Sequence, residues 1–344
     1  MGVHWALPLL QSLLPDEIWQ RTNTAQPDPH LVAKDTDTFA IHNGQTGELL
    51  KNLPSGGMRR FSRTRLRTLI SEGIDVKYGK TLTSISYDDS GGRVSAHFAD
   101  GTNFRGDILI GADGPRSKVR EVIVGKEKSE ATASGVVMGR VRTKYKPDQA
   151  LVLRHHASIA SVAIHPNGTY TGIFGQDFTS PQPQDWEFQV THSSMPIDFK
   201  ESNAEKLKLL KSRAVEYVGI WKDAIDWIPD GTALSFNRLV YWKPIEFDNK
   251  QGRATLAGDA AHPMTPQRGQ GLNHAICDAA KLVAALAMTR KRELSLSQAV
   301  SEYDSEMIKR GGDEVKESLV NTHMFHDWTA FSQSPIMRKS VAKG

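Results

Sequence analysis

A carboxylate and a glycine-flanked helix start lie twelve residues apart in this chain, at Asp259 and Gly271. The apolar run at residues 253–257 predicts a short buried strand, which places Asp259 at the carboxyl edge of a sheet. Open α/β sheets bind their ligands at that edge. From Gly271 onward apolar residues recur at helical spacing, and the first N–H groups of a helix lack partners within it and attract negative charge. The pair therefore offers an acceptor for hydroxyl groups and a site for an anion.

A reduced flavin carries hydroxyl groups and a negative charge. Its ribityl hydroxyls suit Asp259, and the negative charge near N1 suits the backbone amides of Leu272 and Asn273. The segment GDAAHPMTPQRGQGLNHAICDA, residues 258–279, resembles the second flavin motif of the class A FAD-dependent aromatic monooxygenases, the para-hydroxybenzoate hydroxylase-like family. The resemblance also implies that the backbone carbonyl of Pro266 contacts a substrate hydroxyl. The alternative is a glycine-rich turn with only a packing role.

A second segment, DILIGADGPRSKVR at residues 107–120, reads as a short strand, a tight turn and the first turn of a helix. It resembles the Asp-Gly motif of the same family. That resemblance implies that Asp113 lies near the ribityl chain and pyrophosphate of FAD. It also implies that Arg120 steers the pyrophosphate of NADPH, because a guanidinium suits phosphate geometry.

A third segment, RRFSRTRLRTLI at residues 59–70, predicts a helix with one apolar stripe and a basic remainder. By resemblance, Arg63 at its start contacts the flavin. The remaining arginines are expected to be solvated, namely Arg59, Arg60, Arg65 and Arg67.

The family also begins with a strand, a G-x-G-x-x-G turn and a helix that hold the pyrophosphate, and the sequence has none of these before Arg63. We therefore expect at least one βαβ unit of about 30 residues to be absent. Its loss predicts weakened FAD binding. A rival hypothesis follows, in which the chain is a truncated, non-catalytic remnant that binds an aromatic ligand or a partner chain.

The order of motifs predicts an α/β protein with an incomplete Rossmann-like FAD-binding domain, residues 1–130 and 251–296. Strand-like runs separated by Pro, Asn and Gly turns predict an inserted, mainly antiparallel β-sheet substrate domain at 131–250. Residues 297–344 form a C-terminal helical segment. No catalytic base can be assigned from the sequence: Tyr170, His165 and Tyr241 are candidates in the inserted domain, but a half-buried, hydrogen-bonded role fits each of them better.

Composition excludes several classes of function. The 344 residues carry a net charge of +4 with acidic residues interleaved, which argues against a nucleic-acid surface. No run reaches the roughly 20 apolar residues of a membrane span. The single cysteine, Cys277, fits a reducing, cytoplasmic environment, and the histidines lack metal-ligand spacing.

By resemblance the chemistry is that of a flavoprotein: NADPH reduces FAD, and O2 supplies the oxygen that is inserted into an electron-rich aromatic substrate. The sequences of the motifs are most similar to those of the fungal branch of the family, which hydroxylates or epoxidises polyketide-type secondary metabolites. A dehydrogenation or a halogenation on the same scaffold is a further alternative.

Overall fold

The computed structural model describes residues 1–88, 92–157, 159–195 and 202–338. Within these ranges the strands are β1 (Gly2–Val3), β2 (Thr38–Asn43), β3 (Leu49–Pro54), β4 (Arg59–Arg60), β5 (Leu82–Tyr87), β6 (Val94–Phe98), β7 (Asn103–Gly106), β8 (Leu109–Gly111), β9 (Thr132–Lys144), β10 (Ala160–His165), β11 (Thr169–Asp177), β12 (Glu187–Ser194), β13 (Leu234–Tyr241) and β14 (Ala254–Leu256). The helices are α1 (Leu7–Leu13), α2 (Asp16–Gln20), α3 (Arg63–Ile70), α4 (Lys118–Val124), α5 (Lys126–Ser129), α6 (Pro147–His156), α7 (Asn203–Ala214), α8 (Ile220–Asp226), α9 (Gly271–Arg290), α10 (Leu296–Phe325), α11 (Trp328–Ser332) and α12 (Pro335–Arg338).

The two motif-bearing strands, β8 and β14, pair in parallel, with Leu256 opposite Gly111. The turn that follows each strand therefore lies at the same carboxyl edge, as the Rossmann-like prediction requires. Within the described residues this parallel sheet has two strands. The α/β class is confirmed, and the absence of the G-x-G-x-x-G unit stays a prediction.

The largest sheet has seven strands in the order β13-β9-β12-β11-β10-β2-β3. Every pairing in it is antiparallel except that of β10 with β2. The mainly antiparallel character predicted for the inserted sheet is confirmed. One of its faces packs against α6, α7 and α8 through a large apolar cluster.

One domain boundary was wrong, because β2 and β3 belong to the seven-stranded sheet although they precede residue 131. The sequence of a strand does not say which sheet the strand joins. The parallel register of Ile41 with Val162 decides it, since it buries Ile41 in the same apolar cluster as Val162. The substrate-side sheet therefore includes residues 38–54.

The helices that carry the site, α9 and α10, are the two longest in the described residues. The 30-residue helix α10 begins with a capping box between Ser295 and Gln298 and packs along α9. Leu282 of α9 and Met307 of α10 meet in one buried cluster, and Cys277 of α9 is also buried. None of the helices in the described ranges combines the length and apolar composition that a bilayer crossing requires.

Candidate active site

The amino end of α9 is uncapped. Gly269 turns the chain with φ +67°, and Gln270 at the cap position makes no side-chain hydrogen bond to the helix. The first N–H of α9 with a backbone partner is that of His274, which donates to the carbonyl of Gln270 at 3.1 Å. In the described structure the amides of Gly271, Leu272 and Asn273 have no acceptor. Three donors at the positive end of a 20-residue helix form a site for partial negative charge.

Asp259 lies beside this helix start. It follows β14 in a short 3-10 turn, Gly258–Ala260, and its side chain is exposed. Its Oδ1 is 3.8 Å from the position that a Cβ on Gly271 would take. The structure thus brings together the carboxylate and the helix start that the sequence predicted to act on one ligand.

The side chain of Asn273 has a structural role that the motif did not predict. It is fully buried, its Oδ1 accepts the N–H of His4 at 3.1 Å, and its Nδ2 donates to the carbonyl of Gly2 at 3.1 Å. Trp5 adds a hydrogen bond from Nε1 to Gln270 Oε1 at 2.9 Å. The start of α9 is therefore tied to the segment around β1.

A buried polar network supports the turn that carries Asp259. The Asp278 carboxylate, within α9, accepts the N–H of Gly258 at 2.6 Å and is hydrogen-bonded to His262 Nε2 at 2.7 Å. Arg310 of α10 donates to Asp278 Oδ1 at 2.6 Å and to His274 Nδ1 at 2.9 Å. Burial disfavours the ionised carboxylate, yet the hydrogen bond from His262 and the charge of Arg310 outweigh it and hold the pKa of Asp278 below its usual range.

This network was not predicted from the sequence. One signal was present: Asp278 stands on the apolar side of a predicted helix, between Cys277 and Ala279. A buried charge requires a partner. That the partner is Arg310, thirty-two residues away, could not be read from local spacing.

Asp113 caps α4. Its carboxylate accepts the hydroxyl of Ser117 and the backbone N–H groups of Lys118 at 2.7 Å and Val119 at 3.2 Å. The residue lies at the same sheet edge as Asp259 because β8 and β14 are parallel neighbours. In this structure its oxygens hold the Asp-Gly turn in place.

Arg120 is only 2% exposed, which differs from the phosphate-facing position expected for it. Its guanidinium donates to three backbone carbonyls, those of Ser129 at 3.1 Å, Ala260 at 2.9 Å and Pro115 at 2.6 Å. It also lies over the ring of Trp242, 4.8 Å from the centroid. Arg120 therefore holds the two motif turns together through buried hydrogen bonds. Its buried position does not support a contact with NADPH.

The helix predicted to begin near Arg63 does so, capped by the side chain of Ser62. Arg63 is exposed, and no partner of its side chain is found in the described residues. The solvated assignment was wrong for Arg59, which lies over Trp19 and Phe61. It was also wrong for Arg60, which donates to Ile159 at 2.6 Å, and for Arg65, which pairs with Asp177 at 3.5 Å. Arg67 is exposed as expected.

The loop that carries Pro266 forms a 3-10 turn, Pro266–Arg268, against α10. Thr322 donates to Gln267 Oε1 at 2.6 Å, and Arg268 Nε is 2.9 Å from a carboxylate oxygen of Glu314. Both anchors belong to α10. They place the half-buried Pro266 between α10 and the start of α9.

Of the three candidate bases, His165 is bound within a turn: its Nε2 is 3.1 Å from the carbonyl oxygen of Glu216, and its Nδ1 accepts the N–H of Asn167. Tyr241 is half-buried at the end of β13. Tyr170 lies on the sheet face opposite α6–α8, stacked on Phe325. Burial raises the pKa of Tyr170, so this phenol stays protonated.

The residues present fit the isoalloxazine and ribityl part of FAD. Three uncapped amides and a residue without a side chain at Gly271 allow close approach of a flat, partly anionic ring. The exposed Asp259 carboxylate is free to accept hydroxyls next to them.

Comparison with known proteins agrees with this geometry. The sequence model of a family described as FAD binding domain matches residues 60–315. FAD-dependent monooxygenase phnB of Penicillium herquei is 37% identical, over 98% of this chain and 84% of its own length. FAD-dependent monooxygenase cctM of Talaromyces islandicus is 34% identical, over 99% of this chain and 86% of its own length.

Solved structures show the same fold at lower identity. HpxO of Klebsiella pneumoniae, complexed with FAD and uric acid, superposes with a TM-score of 0.79 at 18% identity, covering 99% of this chain and 84% of that one. A putative FAD-containing monooxygenase of Photorhabdus luminescens gives a TM-score of 0.73 at 22% identity, covering 94% and 87% of the two chains. With both flavin motifs at one sheet edge and relatives that match along nearly its whole length, the chain belongs to the class A FAD-dependent aromatic monooxygenases.

Proposed function

We propose that this enzyme hydroxylates or epoxidises an aromatic, polyketide-type secondary metabolite with NADPH and O2. One observation carries the proposal: the Asp259 carboxylate lies beside the uncapped amides of α9, at the edge of the parallel sheet. FAD, when bound, supplies the oxygen-activating chemistry. The protein supplies orientation, electrostatics and exclusion of water.

Each site residue has a defined task in this proposal. Asp259 accepts ribityl hydroxyls, and the amides of Gly271, Leu272 and Asn273 meet the negative charge of the flavin ring. The backbone carbonyl of Pro266 accepts a substrate hydroxyl. Asp113 and Arg63 are the further cofactor contacts in this proposal. Asp113 is exposed at the sheet edge that also carries Asp259, and Arg63 is an exposed cation at the start of α3.

The substrate class is supported by the relatives. Several are fungal monooxygenases, and a Pseudomonas fluorescens relative is named 6-hydroxynicotinate 3-monooxygenase, for a flat aromatic ring. Uric acid, likewise flat, is bound in the Klebsiella structure. We assign substrate contact to the seven-stranded sheet, residues 131–250 together with β2 and β3.

The test combines a spectrum with turnover. Purified protein is titrated with FAD, and NADPH oxidation, O2 consumption and oxygenated product are then followed over a panel of phenols and naphthols. We expect a flavin spectrum and product formation that consumes NADPH and O2 in equal amounts. Absence of flavin uptake, or hydrogen peroxide release without oxygenated product across the panel, contradicts the proposal.

A matched pair of variants tests the site itself. Asp259→Ala removes an exposed carboxylate that has no partner in the described structure, so folding stability should change by no more than about 0.5 kcal/mol. FAD affinity should fall about ten-fold or more, as for a lost charge-assisted hydrogen bond. The control is Asp226→Ala. It removes another exposed carboxylate, at the end of α8 and outside the proposed site, and should leave FAD affinity unchanged.

We also propose that the enzyme acts in the cytoplasm. The support is its single cysteine, Cys277, which is buried and needs no oxidising compartment. Fractionation of cells expressing the tagged full chain tests this location, and recovery in the secreted fraction contradicts it.

A further inference from the structure

The segment around β1 lies against the first turn of α9. Asn273 holds it from two directions: its Oδ1 accepts the N–H of His4 and its Nδ2 donates to the carbonyl of Gly2, each at 3.1 Å. Val3, between those two residues, is fully buried in one apolar cluster with Ile276 of α9. The backbone at His4 is therefore fixed next to the helix amides that we assign to the flavin ring.

The orientation of the Gln270 side chain follows from its neighbours. The indole N–H of Trp5 can only donate, and it lies 2.9 Å from Gln270 Oε1, which fixes this atom as the amide oxygen. The amide nitrogen then faces the carbonyl oxygen of Arg268 at 3.3 Å and His4 Nε2 at 3.2 Å. Both amide protons are used in these contacts, so Nε2 of His4 is an acceptor.

These bonds fix the protonation state of His4. An imidazole whose Nε2 accepts a hydrogen bond is neutral and carries its proton on Nδ1. The neutral form agrees with the half-buried position of the ring, since burial lowers the pKa of His4 and outweighs the opposite effect of the Glu314 carboxylate. Trp5 is held as well, because its ring packs edge-on against His274 with centroids 5.2 Å apart. The chain Trp5–Gln270–His4 thus selects one tautomer.

The Nδ1 proton of His4 is left without an acceptor. Among the described residues Nδ1 has no hydrogen-bond partner, and it is not one of the polar atoms that are buried without a partner, so it remains accessible. A donor that is held in one orientation, partly desolvated and still accessible is suited to an acceptor on a ligand. A ligand that covered it without accepting its proton would lose affinity, because an unmade hydrogen bond is costly.

His4 and Asp259 lie on different sides of the start of α9. Gln270 and Asn273, the two contacts of His4, are three residues apart and share one face of the helix. Gly271, which is next to Asp259, is turned about 100° away from Gln270. A flavin whose ribityl chain meets Asp259 and whose N1 and C2 carbonyl meet the helix amides extends its pyrimidine ring away from Asp259. The acceptor at that far end of the ring is the C4 carbonyl.

We propose that His4 is a positioning residue for the cofactor and donates its Nδ1 proton to the C4 carbonyl of bound FAD, with Trp5 and Gln270 setting the tautomer. The inference deepens the proposed function and rests on it, because it places the flavin ring at the start of α9. The helix amides and His4 hold the two carbonyls of the pyrimidine ring from different directions. The ring is thereby fixed within its own plane, as a preorganised site requires.

The experiment observes each carbonyl of the bound cofactor separately. The protein is reconstituted with FAD labelled with carbon-13 at C2 or at C4, and NMR spectra and FAD titrations are recorded at neutral pH without substrate. His4→Gln keeps an amide near the Nε2 position and places no donor at Nδ1. His4→Asn keeps a donor at Nδ1, because the amide nitrogen of Asn is also bonded to Cγ. The matched control is His155→Gln, which removes an exposed imidazole of α6.

We expect the C4 signal of the natural sequence to lie downfield of that of His4→Gln, because a hydrogen bond to a carbonyl oxygen withdraws electron density from its carbon. His4→Asn should restore most of the shift, and Trp5→Phe, which frees the Gln270 amide, should reduce it. FAD affinity should fall about three- to ten-fold in His4→Gln, as for one lost hydrogen bond, and stay unchanged in His155→Gln. The C2 signal should be the same in all variants.

Equal C4 signals in the natural sequence and in His4→Gln overturn the inference. So does an equal change at C2 and C4, which indicates that the whole ring has moved. The flavin absorbance of the same samples reports on the proposed function separately. Bound flavin with no change at C4 refutes the role of His4 alone, whereas a natural sequence that takes up no flavin refutes the monooxygenase proposal as well.

Discussion

The carboxylate of Asp278, in the third turn of α9, accepts the backbone N–H of Gly258 at 2.6 Å. Gly258 immediately precedes Asp259, and α9 supplies the uncapped amides, so one buried side chain sets the position of the carboxylate relative to the helix start. The hydrogen bonds to His262 and Arg310 orient Asp278 in turn. The proposed flavin contacts are therefore preorganised by residues that touch no ligand.

Removal of this carboxylate should destabilise the protein strongly. We expect Asp278→Ala to lower the free energy of unfolding by about 3–5 kcal/mol, because Arg310 and the Gly258 amide lose a fully buried partner. Urea denaturation followed by circular dichroism measures the loss. The exposed Asp226, paired with Lys222, provides the comparison: Asp226→Ala should cost no more than about 1 kcal/mol. Equal losses in the two variants would refute the role of Asp278.

Stability should fall in mild acid because of His192. This side chain is buried and shares a hydrogen bond of 2.9 Å between its Nδ1 and Thr171 Oγ1. Burial, followed by the charges of Arg213, His326 and His165, lowers its pKa to about 3, against an ordinary value of 6.5. Between those pH values the unfolded chain takes up a proton that the folded chain does not, so stability is full above pH 6.5 and decreases as pH falls.

Thermal unfolding from pH 7.5 to pH 4 tests this expectation. His192→Gln should flatten the pH dependence of Tm, whereas His155→Gln, which removes an exposed imidazole, should leave the curve unchanged. A curve for His192→Gln that is parallel to that of the natural sequence contradicts the assignment.

Gly271→Ala should separate ligand binding from folding. Only Asp259 Oδ1, at 3.8 Å, lies within 4 Å of the new Cβ, so the protein itself accommodates the methyl group. Alanine in a helix is more stable than glycine by roughly 0.5–1 kcal/mol. We expect unchanged or slightly higher stability and FAD affinity reduced about ten-fold, because the methyl group occupies the path to the helix amides.

Gly311→Ala should have the opposite effect on stability, because this glycine is in close contact with the protein itself. Its Cβ would lie 2.6 Å from His262 Cδ2, so α10 must move away from the Asp259 turn at a cost of about 1–3 kcal/mol. Fluorimetric FAD titration and urea denaturation of both variants distinguish the two effects. Loss of stability in Gly271→Ala without loss of FAD affinity would contradict the assignment of this helix start.

Arg120→Gln tests whether this arginine serves the structure or NADPH. Three carbonyls lose their donor inside the protein, so the unfolding free energy should fall by about 3 kcal/mol or more. The KM for NADPH of the folded fraction should stay within about two-fold. The neighbouring exposed Arg116 is the control, and Arg116→Gln should leave stability unchanged. A large rise in KM at unchanged stability would restore the NADPH role for Arg120.

Local sequence patterns were sufficient for the single elements of the site. The apolar run before Asp259, the helical spacing after Gly271 and the Asp-Gly turn at Asp113 each predicted the element that forms there. These elements depend on contacts between residues close in sequence. A glycine or a short apolar run in the sequence is therefore enough to predict them.

The seven-stranded sheet shows the limit of such patterns. Nothing in residues 38–54 says which sheet they join. Only the parallel pairing of β2 with β10, more than a hundred residues away, places them in the seven-stranded sheet and not with the FAD-binding segments. The arginines before α3 show the same limit. Arg59 and Arg60 belong to a basic run, yet neither is simply solvated. The guanidinium of Arg59 lies over an aromatic ring, and that of Arg60 lies over another ring and donates to the carbonyl of Ile159, far away in the sequence.

The sequence by itself determined the family, the cofactor and the two motif turns, because these reside in contiguous segments whose chemistry is local. Only the tertiary structure decided that Asp278, His262 and Arg310 position Asp259, and that Arg120 is interior. Those outcomes depend on which distant groups become neighbours. Burial then sets the free energy of each charge according to the partners it finds.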